Sequence, residues 1–82
     1  MHLDDETSRS ATLIQVVAED RPGLLYDIAS TISSHNASIE VVLIDTEAHK
    51  AIDVFYVTAG DAKLSVEKQR DLQAALISVL RG

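Results

Sequence analysis

The stretch AEDRPGLLYDIAST, Ala18 to Thr31, joins two hydrophobic patterns of different period. Before it, TLIQVVA (Thr12 to Ala18) alternates: Ile14, Val16 and Ala18 share one face and Leu13, Gln15 and Val17 the other, which is strand behaviour. After it, Leu24, Leu25, Ile28, Ala29 and Ile32 recur at three- and four-residue steps, the stripe of a helix ending near His35 and Asn36. The single proline, Pro22, marks the change. Proline disfavours helical dihedrals in the residue before it and suits the first helical position, where its missing N–H would be unpaired anyway. The helix is therefore expected to begin at Pro22. The amides of Gly23 and Leu24 then face outward with no partner inside the helix, and glycine lets another group approach. An anion belongs there, either the carboxylate of Asp20 capping its own helix or that of a small ligand drawn to amides and helix dipole. A side chain added at Gly23 is expected to block such a ligand at little cost to the fold.

Working outward, SIEVVLIDT (Ser38 to Thr46) and KAIDVFYVT (Lys50 to Thr58) are β-branched runs joined by EAH, which predicts a hairpin. In the first run, Ile39, Val41 and Leu43 are expected on one face and Glu40, Val42 and Ile44 on the other. After AGDAK, Ser65 can cap a second helix whose Leu72, Ala75, Leu76, Val79 and Leu80 line one stripe. The order βαββα is most of a split βαβ unit, an α+β, ferredoxin-like arrangement with an antiparallel sheet carrying both helices on one face. Its fourth strand is either missing or supplied by MHLDD. Residues 1–11 thus read as an acidic and polar segment, an edge strand or a linker, and residues 12–82 as the domain proper. Apolar residues on both faces of the two hairpin strands predict that the second sheet face, or a sheet edge, pairs with another domain.

Composition excludes several classes. The chain has 82 residues, so it forms one small core, and its 46% hydrophobic and 24% charged residues are ordinary for a globular domain. No apolar run approaches the roughly 20 residues of a membrane span. No cysteine is present, which removes disulfides and thiolate metal sites and favours a cytoplasmic protein. A net charge of −6, with seven scattered Lys and Arg, argues against nucleic acid and anionic membranes as partners.

Other chemistry-bearing residues form no site of their own. His2, His35 and His49 lack metal-ligand spacing and read as surface histidines. Asp4, Asp5 and Glu6 read as a solvated linker. Asp53 stands between Ile52 and Val54 without a visible base or nucleophile, so a sheet-face or interface role is expected. Tyr26, Phe55 and Tyr56 lack the basic context of a base-stacking sheet. No catalytic residue, metal or cofactor is predicted.

EDRPGLLYDIAST, the spacing to ASIEVVLIDT, and AIDVFYVT resemble the ACT domain, a small regulatory module of amino-acid metabolism, from about Thr12 to Leu80. More narrowly, LDDETSRSATLIQV, DRPGLLYDIA and DVFYV together resemble the C-terminal ACT domains of bifunctional PII uridylyltransferases. The resemblance implies a regulatory domain, itself not an enzyme, that senses an amino acid, glutamine favoured, and relays occupancy to catalytic domains while pairing as a homodimer or with another ACT domain. It also implies ligand contacts at Ala18, Asp20, Gly23, Leu24, Ser38 and Ile39, the carboxylate meeting the Gly23 and Leu24 amides and the ammonium meeting Asp20 or the Ser38 hydroxyl. Asp20 and Ser38 depart from the asparagine-like residues of many amino-acid-binding members. The competing classes are a pairing module with no ligand and a small ferredoxin-like enzyme such as an acylphosphatase, whose arginine-bearing phosphate loop DRPG imitates poorly.

Overall fold

The computed structural model describes residues 1–81; Gly82, the last residue of the expected 12–82 domain, lies outside them. In chain order the described residues form β1 (His2–Asp4), β2 (Thr12–Glu19), α1 (Leu24–Ser34), β3 (Ser38–Glu47), β4 (Lys50–Thr58) and α2 (Val66–Arg81). The strands make one antiparallel sheet in the order β1-β2-β4-β3. This is the expected α+β arrangement, and its fourth strand comes from the N-terminal segment: His2, Leu3 and Asp4 pair with Gln15, Ile14 and Leu13.

Register assigns the faces. The cross-strand pairs Thr12–Val57, Ile14–Phe55, Val16–Asp53 and Ala18–Ala51 share the face that carries the helices. Ile14, Val16, Phe55 and Val57 are buried there with Leu24, Ile28 and Ile32 of α1 and Leu72 and Leu76 of α2. The helix stripes read from the sequence are the ones that fill this core.

The helix ends follow from local chemistry. α1 closes in a Schellman turn: the Asn36 amide donates to the Ser33 carbonyl and that of Ala37 to Ile32, which needs Asn36 in the left-handed region at φ 59°. α2 begins as expected, with the Lys68 amide donating to the Ser65 hydroxyl at 3.1 Å. The start of α1 is corrected. Pro22 and Gly23 form a turn, Gly23 is the N-cap residue at φ 80° and ψ 0°, and helical backbone begins at Leu24. Proline suits a turn as well as a first helical position, and the left-handed glycine decided between them.

Two further expectations are corrected. A register shift between Ile39 and Val41 places an extra residue, Glu40, in β3. Ile39 therefore pairs with Val57 on the helix side while Val41 and Leu43, opposite Tyr56 and Val54, lie on the open face. The acidic segment is not a solvated linker either. Asp4 Oδ1 accepts the Glu6 amide at 2.7 Å. The Asp5 carboxylate accepts the Thr12 hydroxyl at 2.7 Å and the Gln69 side-chain amide, and Lys63 donates to the Asp5 carbonyl. Thr12, fully buried, also accepts the Leu64 amide at 3.0 Å.

Thr12 is thus the pin between β2, the N-terminal segment and the entry to α2. Thr12→Val keeps the shape but strands the Leu64 amide and one Asp5 oxygen, and is expected to cost about 2–3 kcal/mol. Urea denaturation checks this. A midpoint equal to the parent's would show that the hydroxyl holds nothing.

Candidate functional site

The corner between β2 and α1 is built by three constraints. The Asp20 amide donates to the His49 carbonyl at 2.8 Å, fixing the end of β2 to the β3–β4 turn. Gly23 takes a left-handed conformation that turns the chain into the helix. Arg21 then reaches along the first turn to Asp27, Nη1 to Oδ2 at 2.9 Å.

The first-turn amides are only partly as expected. No side chain caps the helix, so Asp20 does not serve as its cap. The Leu24 amide is taken, donating to the Arg21 carbonyl at 3.2 Å. Among the described residues, no backbone or side-chain acceptor outside the helix meets the amides of Gly23, Leu25 or Tyr26. The chain's own geometry thus leaves a set of donors at the positive end of the helix dipole. Beside them opens a cleft of about 500 Å³ lined by Val17, Ala18, Glu19, Arg21, Leu24 and Arg81, among others.

Of the residues expected in one site, Ala18 and Leu24 line this cleft, and Asp20 and Gly23 belong to the same corner. Ser38 and Ile39 do not. Ser38 pairs with Thr58, whereas the corner residue Ala18 pairs with Ala51, so the two ends lie about 23 Å apart at the usual strand rise. Within one chain the six residues form two groups at opposite ends of the sheet. Ser38 and Ile39 begin the strand, while the corner lies beside its far end. Antiparallel pairing of β3 with β4 imposes that separation.

Sequence reasoning passed over Arg21 and Arg81, the cationic groups of the cleft, and gave Asp53 a sheet-face or interface role. Arg21 could have been found from its place in the turn itself, whereas Arg81 reaches the cleft only through the tertiary packing of α2. Asp53 lies on the helix-facing side of β4, 3% exposed. Its Oδ1 has no hydrogen-bond partner among the described residues. Burial, and secondarily the negative charge of Asp20, push its carboxyl above the ordinary carboxylate range. The aromatic residues share no surface: Phe55 is in the core, Tyr26 is 74% exposed on α1, and Tyr56 lies on the open sheet face.

An antiparallel four-stranded sheet with two helices on one face and a glycine-marked corner after its second strand defines a class, and the comparison with known families agrees with it. The chain belongs to the ACT-like domains: the family described as "ACR9-like, ACT-like domain" matches residues 1–82. Among curated proteins it is similar to the bifunctional uridylyltransferase/uridylyl-removing enzymes. It is 38% identical to that of Phenylobacterium zucineum over 95% of this chain and 8% of the relative. It is 44% identical to that of Azospirillum brasilense over 67% of the chain and 6% of the relative. The enzyme of Bradyrhizobium diazoefficiens is 35% identical over 98% and 9%. The chain therefore spans less than a tenth of the length of these relatives. No helix among the described residues is long and apolar enough to cross a membrane.

Two outcomes follow from this geometry. Gly23 has open space around a built Cβ but a positive φ, so a side chain there is not free to the fold, contrary to the sequence expectation. Gly23→Ala is expected to cost about 1–2 kcal/mol, read as a lower urea midpoint at unchanged slope; no change would mean the corner tolerates another conformation. The second concerns Asp53. Its folded-state value is raised above the ordinary 3.8, so between the two values the folded chain holds a proton that the unfolded chain has lost. Stability falls as pH rises through that window. The stability of Asp53→Asn relative to the parent is therefore expected to increase from about pH 3 to pH 7, and a constant difference would show that folding does not perturb Asp53.

Proposed function

We propose that the chain is an amino-acid-sensing regulatory domain, with glutamine the favoured ligand, that relays occupancy to catalytic domains of a uridylyltransferase and is not itself catalytic. The observation that carries this reading is the corner of unpaired amides at Gly23, Leu25 and Tyr26 beside an open cleft. Such an arrangement suits the carboxylate of a small ligand, and the Arg81 guanidinium at the cleft adds to its preference for an anion. The similarity to bifunctional uridylyltransferase/uridylyl-removing enzymes, of which the chain covers about a twelfth, supports a part that serves a larger, cytoplasmic enzyme. On this reading residues 12–82 are the sensing domain and residues 1–11 bring in its edge strand.

Ala18, Asp20, Gly23 and Leu24 form one half of the ligand site and Ser38 and Ile39, across the sheet, the other half from a paired domain. That pairing has independent support in β3, an edge strand whose Val41, Val42, Leu43 and Ile44 are 38–58% exposed. A run of four exposed apolar residues on an unpaired edge is disfavoured in an isolated domain. The same feature favours a second reading, a pairing module without a ligand.

Calorimetric titration of the chain with the twenty amino acids, glutamine first, separates the two. Saturable heat with glutamine is expected; silence with all of them would leave the pairing module. In sedimentation equilibrium a dimer is expected, and a monomer at high micromolar concentration would rule out both forms of pairing.

A further inference from the structure

We propose that the open face of the sheet is a docking surface for a basic amphipathic helix of a partner protein. This goes beyond the amino-acid-sensing reading and does not depend on it. Both helices of this chain pack on the other face, and the register fixes what the open face presents. Leu13, Tyr56 and Val41 form one cross-strand row, Gln15, Val54 and Leu43 the next, and Val17, Ile52 and Asp45 the one after. Apart from Gln15 and Asp45 these side chains are apolar, and Val17, Val41 and Leu43 are 46–54% exposed. A contiguous apolar patch with a polar border is the mark of an interaction surface.

The charges stand around this centre and are nearly all of one sign. Asp4 of β1 extends the first row, and past the third row Glu19 and Glu47 flank Lys50. Lys50 is the only lysine or arginine that the described strands place on this face. Two depressions open there as well. One, of about 210 Å³, is lined by Leu13 and Val54 together with His2, Asp4 and Gln15. The other, of about 350 Å³, is lined by Val41 and Tyr56 together with Glu40 and Asp61, among others. Each depression thus combines an apolar wall with a carboxylate.

Charge selects the occupant. A second copy laid face to face would set carboxylates against carboxylates, on a chain whose net charge is already −6. An anionic membrane is repelled for the same reason. A partner with an apolar stripe and Lys or Arg on its flanks meets both features: the stripe covers the rows and the cations reach the carboxylates beside them. Dimensions favour a helix. From Leu13 to Glu19 along β2 is about 20 Å, the length of a helix of roughly 14 residues. With the width of three strands this gives a patch of about 300 Å², small for a permanent interface. The contact is therefore weak, reversible and sensitive to salt.

The test uses the whole chain and a synthetic helical peptide of about 14 residues, with leucines along one stripe and lysines elsewhere, followed by fluorescence anisotropy and backbone amide NMR shifts. Saturable binding is expected, with the shifts concentrated in the strands. No binding, or shifts concentrated in α1 and α2, would overturn the proposal, as would equal binding of a peptide with glutamates in place of the lysines. Because any acidic chain attracts lysines, Asp45→Lys on the open face is compared with Glu67→Lys on α2; both positions are exposed and both variants change the net charge equally. Asp45→Lys is expected to weaken binding about fivefold more than Glu67→Lys, and equal weakening would reduce the attraction to net charge alone. Leu43→Ser, at constant charge, is expected to weaken binding about tenfold; parent-like affinity would remove the apolar centre from the contact and overturn the proposal. Circular dichroism verifies that the variants are folded, and the shift map on the parent chain needs none of them.

Discussion

The structure depends on one strip of cross-strand pairs, Thr12–Val57, Ile14–Phe55, Val16–Asp53 and Ala18–Ala51, running down the helix-facing side of β2 and β4. These central strands supply most of the surface on which α1 and α2 rest, and the buried residues of both helices converge on it. A domain of this size has no second core to fall back on. The strip must therefore be well packed, and for most of its length it is, with Ile14, Phe55 and Val57 at 0% exposure. Its third pair breaks the pattern by carrying a carboxylate. An apolar residue of similar size at that position would avoid the desolvation of an acid. A buried acid kept in a core this small concedes stability one same-face pair inward from Ala18–Ala51, the pair at the corner.

The same strip explains why β3 is bare. Helices that bury the pairs of β2 and β4 leave Val42 and Ile44 largely uncovered on the helix side, and nothing covers Val41 and Leu43 on the other. β3 is both the longest strand and an edge, the combination that invites another chain to add to the sheet. Glu40 moderates this. Its extra residue bends the strand near its start, and its carboxylate is occupied by the Thr58 hydroxyl at 3.2 Å, so free pairing is confined to the part of β3 beyond the bulge.

Periodicity made the elements legible, because each buried stripe has the spacing of its own secondary structure. The Ser65 cap and the hairpin were legible for the same reason: they depend on residues close together in sequence. Three features were not. The helix start turned on whether Pro22 opens a helix or a turn, and both use the same φ of proline; the left-handed Gly23 decided it. The bulge at Glu40 was hidden because a β-branched run looks continuous whether or not one residue is unpaired, yet a single extra residue moves Ile39 to the opposite face. Asp5 looked solvated because its partners, Thr12 and Gln69, are distant in sequence and meet it only once β1 lies beside β2 and α2 returns. For the site, the corner residues were legible and the distance between Ala18 and Ser38 was not, since separation depends on register rather than on spacing.

The corner and the bare strand are not independent. The Asp20 amide donates to the His49 carbonyl, and His49 sits in the two-residue turn between Glu47 of β3 and Lys50 of β4. The corner is therefore hydrogen-bonded to the turn at the end of the edge strand, the segment that a ligand would act on under the proposed function. Regulation requires only that the ligand prefer one arrangement of the paired domains over another, and a hundredfold preference corresponds to about 2.7 kcal/mol of coupling. Two or three charge-assisted hydrogen bonds that form fully in one arrangement and incompletely in the other are enough for that. On the proposed reading, a ligand at the corner would lie close to the end of the uncovered edge strand, because the Asp20 amide is hydrogen-bonded to the turn that ends β3.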